Sequence, residues 1–500
     1  MNHARLLSTL LLGCGLGIGL CACDAPRKDI ATPGRSAGPT HGLVLDGNIS
    51  DWPTHAAALA DTHHLYVRFS MADESFTLQA APRSVVIYLD IDGDATTGRT
   101  SADEALAGLG VDLELVFSPD AQRGGKRQGA KLFALDARGT RTELSTREFD
   151  VVAAPTVASE WYEARLSRTP GGAAALPRAG LLSQGKVRGV MAALDEHGAI
   201  EAWADTFETV CPMASTGAGP MAVQPPPGKP ARSVRVVSYN VHHTSPLKDA
   251  SRFQRILQML DPDVVLLQEW EEGSHEQVAG WFTAMMPDAR TWNVVKAPGS
   301  MRDGGGVAIA TRLPIADLTT PLVVKNDDRD HHVRWAVARI LTPVGEMTAA
   351  SVHLKCCGSA GSPEDVLRAG EARAINAALA RLGGSIVIGG DLNLVGTWGP
   401  ILTLGAGIDL DQSELAIARA HTFGDNALAT WRDATSPFTP GRLDYVLYSD
   451  ARWVARNAFV LDTSRMSEEL LARLGLDADD TDTASDHMPV VVDLQRAGGR

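Results

Sequence analysis

The sequence predicts a layered α/β domain in its C-terminal half, preceded by an all-β sandwich. Three observations carry that expectation. Residues 232–495 alternate apolar strand-like runs with amphipathic helical segments. Residues 41–211 hold strand-like runs and few segments with a 3.6-residue apolar stripe. A Pro-rich stretch at 212–231, PMASTGAGPMAVQPPPGKPA, separates the two and reads as a linker.

Composition agrees with a folded, acidic protein. The chain has 500 residues, a net charge of −14, 44% apolar residues and 21% charged ones. This excludes full-length disorder. The 48 Gly and 27 Pro show no short period, which excludes a collagen-like chain. The negative balance disfavours a protein that coats nucleic acid through a basic surface. It does not exclude an enzyme that meets a phosphate only at its active site.

The N-terminus has a short positive start and the apolar run LLSTLLLGCGLGIGLCAC, too short and Gly-rich for a comfortable spanning helix. Leu20-Cys21-Ala22-Cys23 resembles a bacterial lipobox. That implies a signal peptide at 1–22, cleavage before Cys23 and lipid on Cys23. The expected product is an exported, membrane-anchored lipoprotein in the periplasm or at the cell surface. Residues 23–40 read as a tether. Of six cysteines, Cys211, Cys356 and Cys357 then remain. The expectation is one bridge from Cys211 to a member of the adjacent pair, with one buried thiol. A redox or metal role for the pair is the alternative, and the pairing stays open.

In residues 41–211, LYVRFSM alternates apolar and polar positions, and SVVIYLDID and VDLELVFS are apolar runs bounded by turn residues. The start, from Leu45-Asp46-Gly47 to Asp51-Trp52, with HHLYVRFSM, VVIYLDIDGDATTGR and Gly110-Val111-Asp112, resembles the family 9 carbohydrate-binding-module-like sandwich. The resemblance implies a β-sandwich and raises glycan as a partner. Trp52 and Trp203 are the aromatic candidates for stacking on a sugar, although core positions are the expectation. Asp90, Asp92 and Asp94 have the spacing of a calcium loop. Ala95 stands where such a loop needs Gly, and no Glu closes it, so a solvated turn is expected.

The C-terminal half reads as strands VRVVSYNV, DVVLLQE, GGGVAIATRL, WAVARIL, MTAASVHL, SIVIGGDLN, LDYVLYS and MPVVVDL, with helices RFQRILQML and EDVLRAGEARAINAALARL between them. Its informative residues are polar ones at strand ends. Asn240, Glu269, His353, Asp391 with Asn393, Asp444, and Asp486 with His487 each stand beside an apolar run. Such groups are costly there unless paired or coordinated, so the ends are expected to converge. Carboxylate and amide oxygens suit Mg²⁺, Mn²⁺ or Ca²⁺, and Mg²⁺ works with phosphate substrates. A His near carboxylates suits water activation. The residues alone therefore point to metal-assisted hydrolysis of a phosphate ester.

The strings SYN, LLQE, VHL, GGDLN, GRLDY and SDHMPV, in this order across 232–495, resemble the endonuclease/exonuclease/phosphatase superfamily. The resemblance implies a four-layer α/β/β/α sandwich. It implies Glu269 as the principal metal ligand, with Asn240 beside it and Asp486 near enough to help. Asp444 would orient His487, which contacts the scissile phosphate as base or as cation. Asp391 would position or deprotonate water, Asn393 donate to the developing charge, and His353 bind a phosphate oxygen or aid the leaving group. His242 stands where apurinic endonucleases carry an acid. Tyr239 reads as core, His331 and His332 as a solvated loop, and Arg368 and Arg373 as surface or supporting residues.

The favoured function is an exported Mg²⁺- or Mn²⁺-dependent phosphodiester hydrolase, a nuclease acting on extracytoplasmic nucleic acid, and monomeric. One alternative is a sphingomyelinase-like or other small-phosphoester enzyme, against which no Trp- or Phe-rich hairpin is seen. Another is a non-catalytic glycan-binding surface protein, disfavoured because every expected polar position is filled.

Overall fold

The computed structural model describes residues 42–498, other than 71–75, 102–105, 120–125, 171–184, 196, 198, 216–220, 287–290 and 327–328. The signal peptide, the tether, Cys23 and part of the Pro-rich linker lie outside the described residues, as does the side chain of Trp203.

The N-terminal half is all-β. One sheet orders the strands Ala58–Ala60, His64–Ser70, Trp161–Ser167 and Val152–Ala154. The other orders Ile200–Cys211, Gly185–Leu194, Ser84–Asp90, Leu113–Phe117, Ala130–Leu135 and Arg141–Leu144. Alternation decides what each face does. Leu65, Val67 and Phe69 point into the core shared with Val85, Ile87, Leu115, Phe117 and Tyr162. Tyr66 points the other way, into a second cluster with Leu45, Trp52, Val152 and Ala427. Trp52 is buried there, and its indole donates to Glu163 Oε1 at 2.7 Å, so it offers no face for a sugar. The expected solvated turn is only partly so. Asp90 is fully buried and paired with Arg188 at 2.5 Å.

The C-terminal half has four layers. A seven-stranded sheet orders Asn293–Lys296, Val307–Thr311, Val264–Gln268, Ser233–Asn240, Val490–Arg496, Trp453–Val460 and His421–Thr422. A six-stranded sheet orders Ile315–Asp317, Arg334–Thr342, Gly345–His353, Ile386–Asp391, Asp444–Tyr448 and Ala416–Ile417. Val236, Val264, Leu266, Val490 and Val492 of the first sheet meet Ala338, Ile340, Ala349, Val387 and Val446 of the second. Their sequence neighbours Val237, Val265, Leu267 and Val491 face outward, under Phe253, Ile256, Leu257 and Leu260 of helix Ala250–Leu260. The far side is covered by helix Pro363–Leu382 through Ala372, Ile375 and Leu379. Strands buried on both faces explain apolar runs without alternation. Gly389 lets the sheets close, since a Cβ there would lie 2.6 Å from Leu266 Cδ1.

Three expectations need correction. Cys211, Cys356 and Cys357 are all free, with Cys211 buried in the sandwich core, so the expected bridge is not formed. His331 is no loop residue. It lies in strand Arg329–His332, paired with Val323–Asn326, and its Nε2 is 2.7 Å from Glu371 Oε1. Of the surface and supporting readings of Arg368, full burial excludes the surface one.

The two halves share a polar, buried contact. Arg165 is fully buried in the sandwich and binds both oxygens of Asp425, while Asp150 bridges Arg165 at 3.0 Å and Arg465 at 2.5 Å. Thr156 Oγ1 donates to Leu394 O at 2.6 Å and lies 3.4 Å from Arg442 O. Gln79 and Thr439 exchange two hydrogen bonds at 2.8 and 2.9 Å. Burial opposes ionisation of Asp150 and Asp425, but Arg165 and Arg465 outweigh it and hold both carboxyls below their ordinary value. A depressed carboxyl contributes stability above its unfolded pKa and loses it as pH falls. The thermal midpoint is therefore expected to start falling below about pH 5. Asp425→Asn should lower the midpoint at pH 7 and flatten that fall; a parallel pH curve would remove this cluster as the cause.

Candidate active site

Register builds the site. His353 pairs with Asp391, and Asp391 pairs with Asp444, so three neighbouring strands carry the three residues in one row. Asn240 pairs with Gln268 on the facing sheet, which puts Glu269 one residue beyond the strand end. Glu269 has φ 59° and Asn393 φ 48°. The left-handed region costs a Glu of order 1–3 kcal/mol, a strain that clusters where geometry is functional. Asn tolerates it better. His243 N donates to Glu269 Oε2 at 3.1 Å and holds the turn.

Asp391 Oδ2 is the centre of the arrangement. It accepts from Asn240 Nδ2 at 3.1 Å and Asn393 Nδ2 at 3.0 Å, with His353 Nε2 at 3.5 Å and His487 Nε2 at 3.7 Å. Asn240 Nδ2 also donates to Glu269 Oε1 at 3.1 Å. His487 Nδ1 meets Asp444 Oδ2 at 2.8 Å. All of these except Glu269 are buried. Burial and the neighbouring carboxylates Asp444 and Glu269 push Asp391 up to about 7, against the pull of His487. Burial alone would lower His487, but Asp444 and Asp391 outweigh it and raise it to about 10. His353 is held well below its ordinary value by burial and by Arg334. Its Nδ1 is buried with no hydrogen-bond partner.

The structure thus brings together Asn240, Glu269, His353, Asp391, Asn393, Asp444 and His487. Asp486 stands beside them with both oxygens engaged, Oδ1 with His242 Nδ1 at 2.7 Å and Oδ2 with Trp431 Nε1 at 2.9 Å. Burial opposes its charge, but His242, His487 and Trp431 take it down to about 2. Asn393 spends its amide on Asp391 and on Leu354 O at 3.2 Å, so donation to a phosphate would require releasing one of them.

The donor set fits a divalent cation. Glu269 and Asp391 offer carboxylate oxygens within 4.8 Å of each other. Burial first, and the Asp444 and Glu269 carboxylates after it, oppose charge on Asp391, and a bound cation would offset both.

The sequence assigned no role to three supports. Thr430 Oγ1 donates to Asp444 Oδ2 at 2.7 Å and accepts from the Leu443 and Asp444 amides. Trp431 bridges to His487 in the backbone and holds Asp486. Ser485 Oγ donates to Asn240 O at 2.8 Å and accepts from His487 N, tying two motifs together. Only Ser485 had a signal, its place in SDH.

The sequence pattern of the Endonuclease/Exonuclease/phosphatase family matches residues 237–487. The chain belongs to this family. As an Endonuclease/Exonuclease/phosphatase protein it is a hydrolase of the phosphoester class. Among solved structures it is similar to an AP endonuclease from Archaeoglobus fulgidus, at 14% identity over 52% of this chain and 98% of that one, TM-score 0.34. TDP2 of D. rerio complexed with single strand DNA product matches at 15% identity over 53% and 99%, TM-score 0.35. ANGEL2, a 2',3'-cyclic phosphatase, in complex with adenosine-2',3'-vanadate matches at 16% identity over 52% and 95%, TM-score 0.35. No curated protein matches the chain.

Proposed function

We propose that the chain is an exported, divalent-metal-dependent phosphodiesterase acting on extracytoplasmic nucleic acid. The observation that carries the chemistry is the juxtaposition of Asp391 Oδ2 with His487 Nε2 at 3.7 Å, the latter backed by Asp444. Glu269, with Asn240 beside it, would hold the cation, and Asp486 stands at hand. A bound Mg²⁺ or Mn²⁺ would supply charge neutralisation for the phosphoryl oxygens.

The protein's own groups divide the remaining work. Asp391, lifted toward neutrality, holds the attacking water and takes its proton. Asn240 and Asn393 fix its carboxylate. His487, an imidazolium at neutral pH, donates from Nε2 to a phosphoryl oxygen as charge grows there. Asp444 sets its tautomer and stabilises its charge. His353, kept neutral, lends an Nε2–H to the leaving side.

The nucleic-acid reading is preferred to the lipid one because strands Val323–Asn326 and Arg329–His332, whose only rings are the imidazoles of His331 and His332, offer no Trp or Phe to a membrane. A panel of plasmid DNA, RNA, sphingomyelin and inositol phosphates tests the substrate class. Turnover of sphingomyelin alone would overturn the nucleic-acid reading. EDTA should abolish hydrolysis of bis-p-nitrophenyl phosphate, with recovery on adding Mg²⁺ or Mn²⁺; full activity in EDTA would sink the metal dependence. Export is read from the LCAC string, and Cys23→Ser should release the protein from the membrane fraction.

A further inference from the structure

Beyond His353 the chain turns through Lys355-Cys356-Cys357-Gly358 before helix Pro363–Leu382. The two sulfurs converge, with Cys357 Sγ 2.8 Å from Cys356 Sγ. Cys357 is exposed and Cys356 half-buried. The convergence follows from the backbone, where Cys357 has φ 71° and Gly358 φ 84°.

That backbone is tied down on both sides of the pair. Arg368 Nε donates to Lys355 O at 2.9 Å, and its Nη2 donates to Cys357 O at 2.6 Å. Glu371 Oε2 accepts from Lys355 N at 2.6 Å. Arg334 Nη2 donates to Leu354 O at 2.6 Å, the oxygen that also accepts from Asn393. Arg368 and Glu371 are both fully buried, an expensive placement for two charges on one helix. Arg368 also pairs with Asp365 Oδ1 at 2.9 Å and Glu371 with His331 Nε2 at 2.7 Å, and three further hydrogen bonds from the two residues end on the strap that presents the sulfurs. Mere packing of two small thiols needs no such anchoring.

We propose that Cys356 and Cys357 are a dithiol site that closes reversibly to a disulfide between adjacent residues, by exchange with a small-molecule disulfide. The Cys356 thiolate attacks one sulfur of the oxidant, forming a mixed disulfide and expelling one thiolate. The Cys357 thiolate then attacks Cys356 Sγ and expels the second. Two electrons pass to the oxidant, and the two cysteine protons end on the released thiols. The S···S gap need only shrink to about 2.05 Å. Bonding in so small a ring is strained, and strained disulfides are the readily reduced, reversible ones.

The order of attack rests on the neighbours. The Cys357 S–H, the Lys355 ammonium 3.7 Å from Cys356 Sγ and the Arg334 guanidinium favour thiolate at Cys356, bringing it to about 6 despite burial. The same pairing pushes Cys357 up. Cys356 is therefore the first nucleophile and Cys357 the resolving one.

The test is chemical and independent of any catalytic assignment. Trypsin releases residues 356–368, which hold both cysteines and no others. After the full-length protein is incubated with oxidised glutathione, this peptide should be two hydrogens lighter and refuse alkylation until reduced. Cys357→Ser should instead retain glutathione on Cys356. Full alkylation of both cysteines after oxidation would overturn the proposal. So would stable glutathione on the wild-type pair, or a cross-link from this peptide to the one carrying Cys211.

Discussion

His487→Ala is expected to lower kcat by on the order of 10²-fold or more, with KM changed far less. The imidazole sits 3.7 Å from Asp391 and is fixed by Asp444, so its removal deletes a charge that acts as the phosphate reacts rather than a group that only binds it. Asp444→Asn separates positioning from contact. With the carboxylate gone, the alkaline limit of activity should move downward from the region near 10 to which Asp444 and Asp391 raise His487. The sign follows from the raised pKa. The active imidazolium is complete below it and lost as pH rises through it. An unmoved alkaline limb in Asp444→Asn would assign that limb to another group.

Glu269→Gln is the second large effect, again on the order of 10²-fold or more in kcat. It has a readout that needs no substrate. A ligand held only by the folded state stabilises it by about 2.7 kcal/mol at a hundred times its Kd. Mg²⁺ or Mn²⁺ should therefore raise the thermal midpoint of the wild type. In Glu269→Gln that rise should vanish. A preserved metal-induced rise would move the cation to ligands other than Glu269, such as the Asp391, Asp444 and His487 group.

Most of the site was legible because of where its polar residues stand. Asn240, His353, Asp391 and Asp444 end or begin strands that are otherwise continuously apolar, and a strand end is where a register row can gather side chains from distant segments. The four layers were legible for the same reason, since doubly buried strands leave runs such as VVLL and VVV in the sequence. What stayed hidden depends on partners far along the chain. Thr430 lies in ALATW with no motif around it, and its value comes only from facing Asp444. Arg368 reads as a surface or supporting residue, and Asp365 together with the strap across it compensates its burial. Arg165 and Asp425 are 260 residues apart, and neither stands in a pattern that names the other. Cys211 could be counted but not placed, because pairing is a matter of distance.

The contact made by Thr156 gives the sandwich a part in holding the site. Its hydroxyl reaches two segments that flank the site, one 238 residues and the other 286 residues downstream. Leu394 follows Asn393 directly, and Arg442 stands two residues before Asp444. One hydroxyl from the N-terminal half is thus shared between the two chain segments next to the Asp391 and Asp444 row, and those segments are buttressed from outside their own sheet.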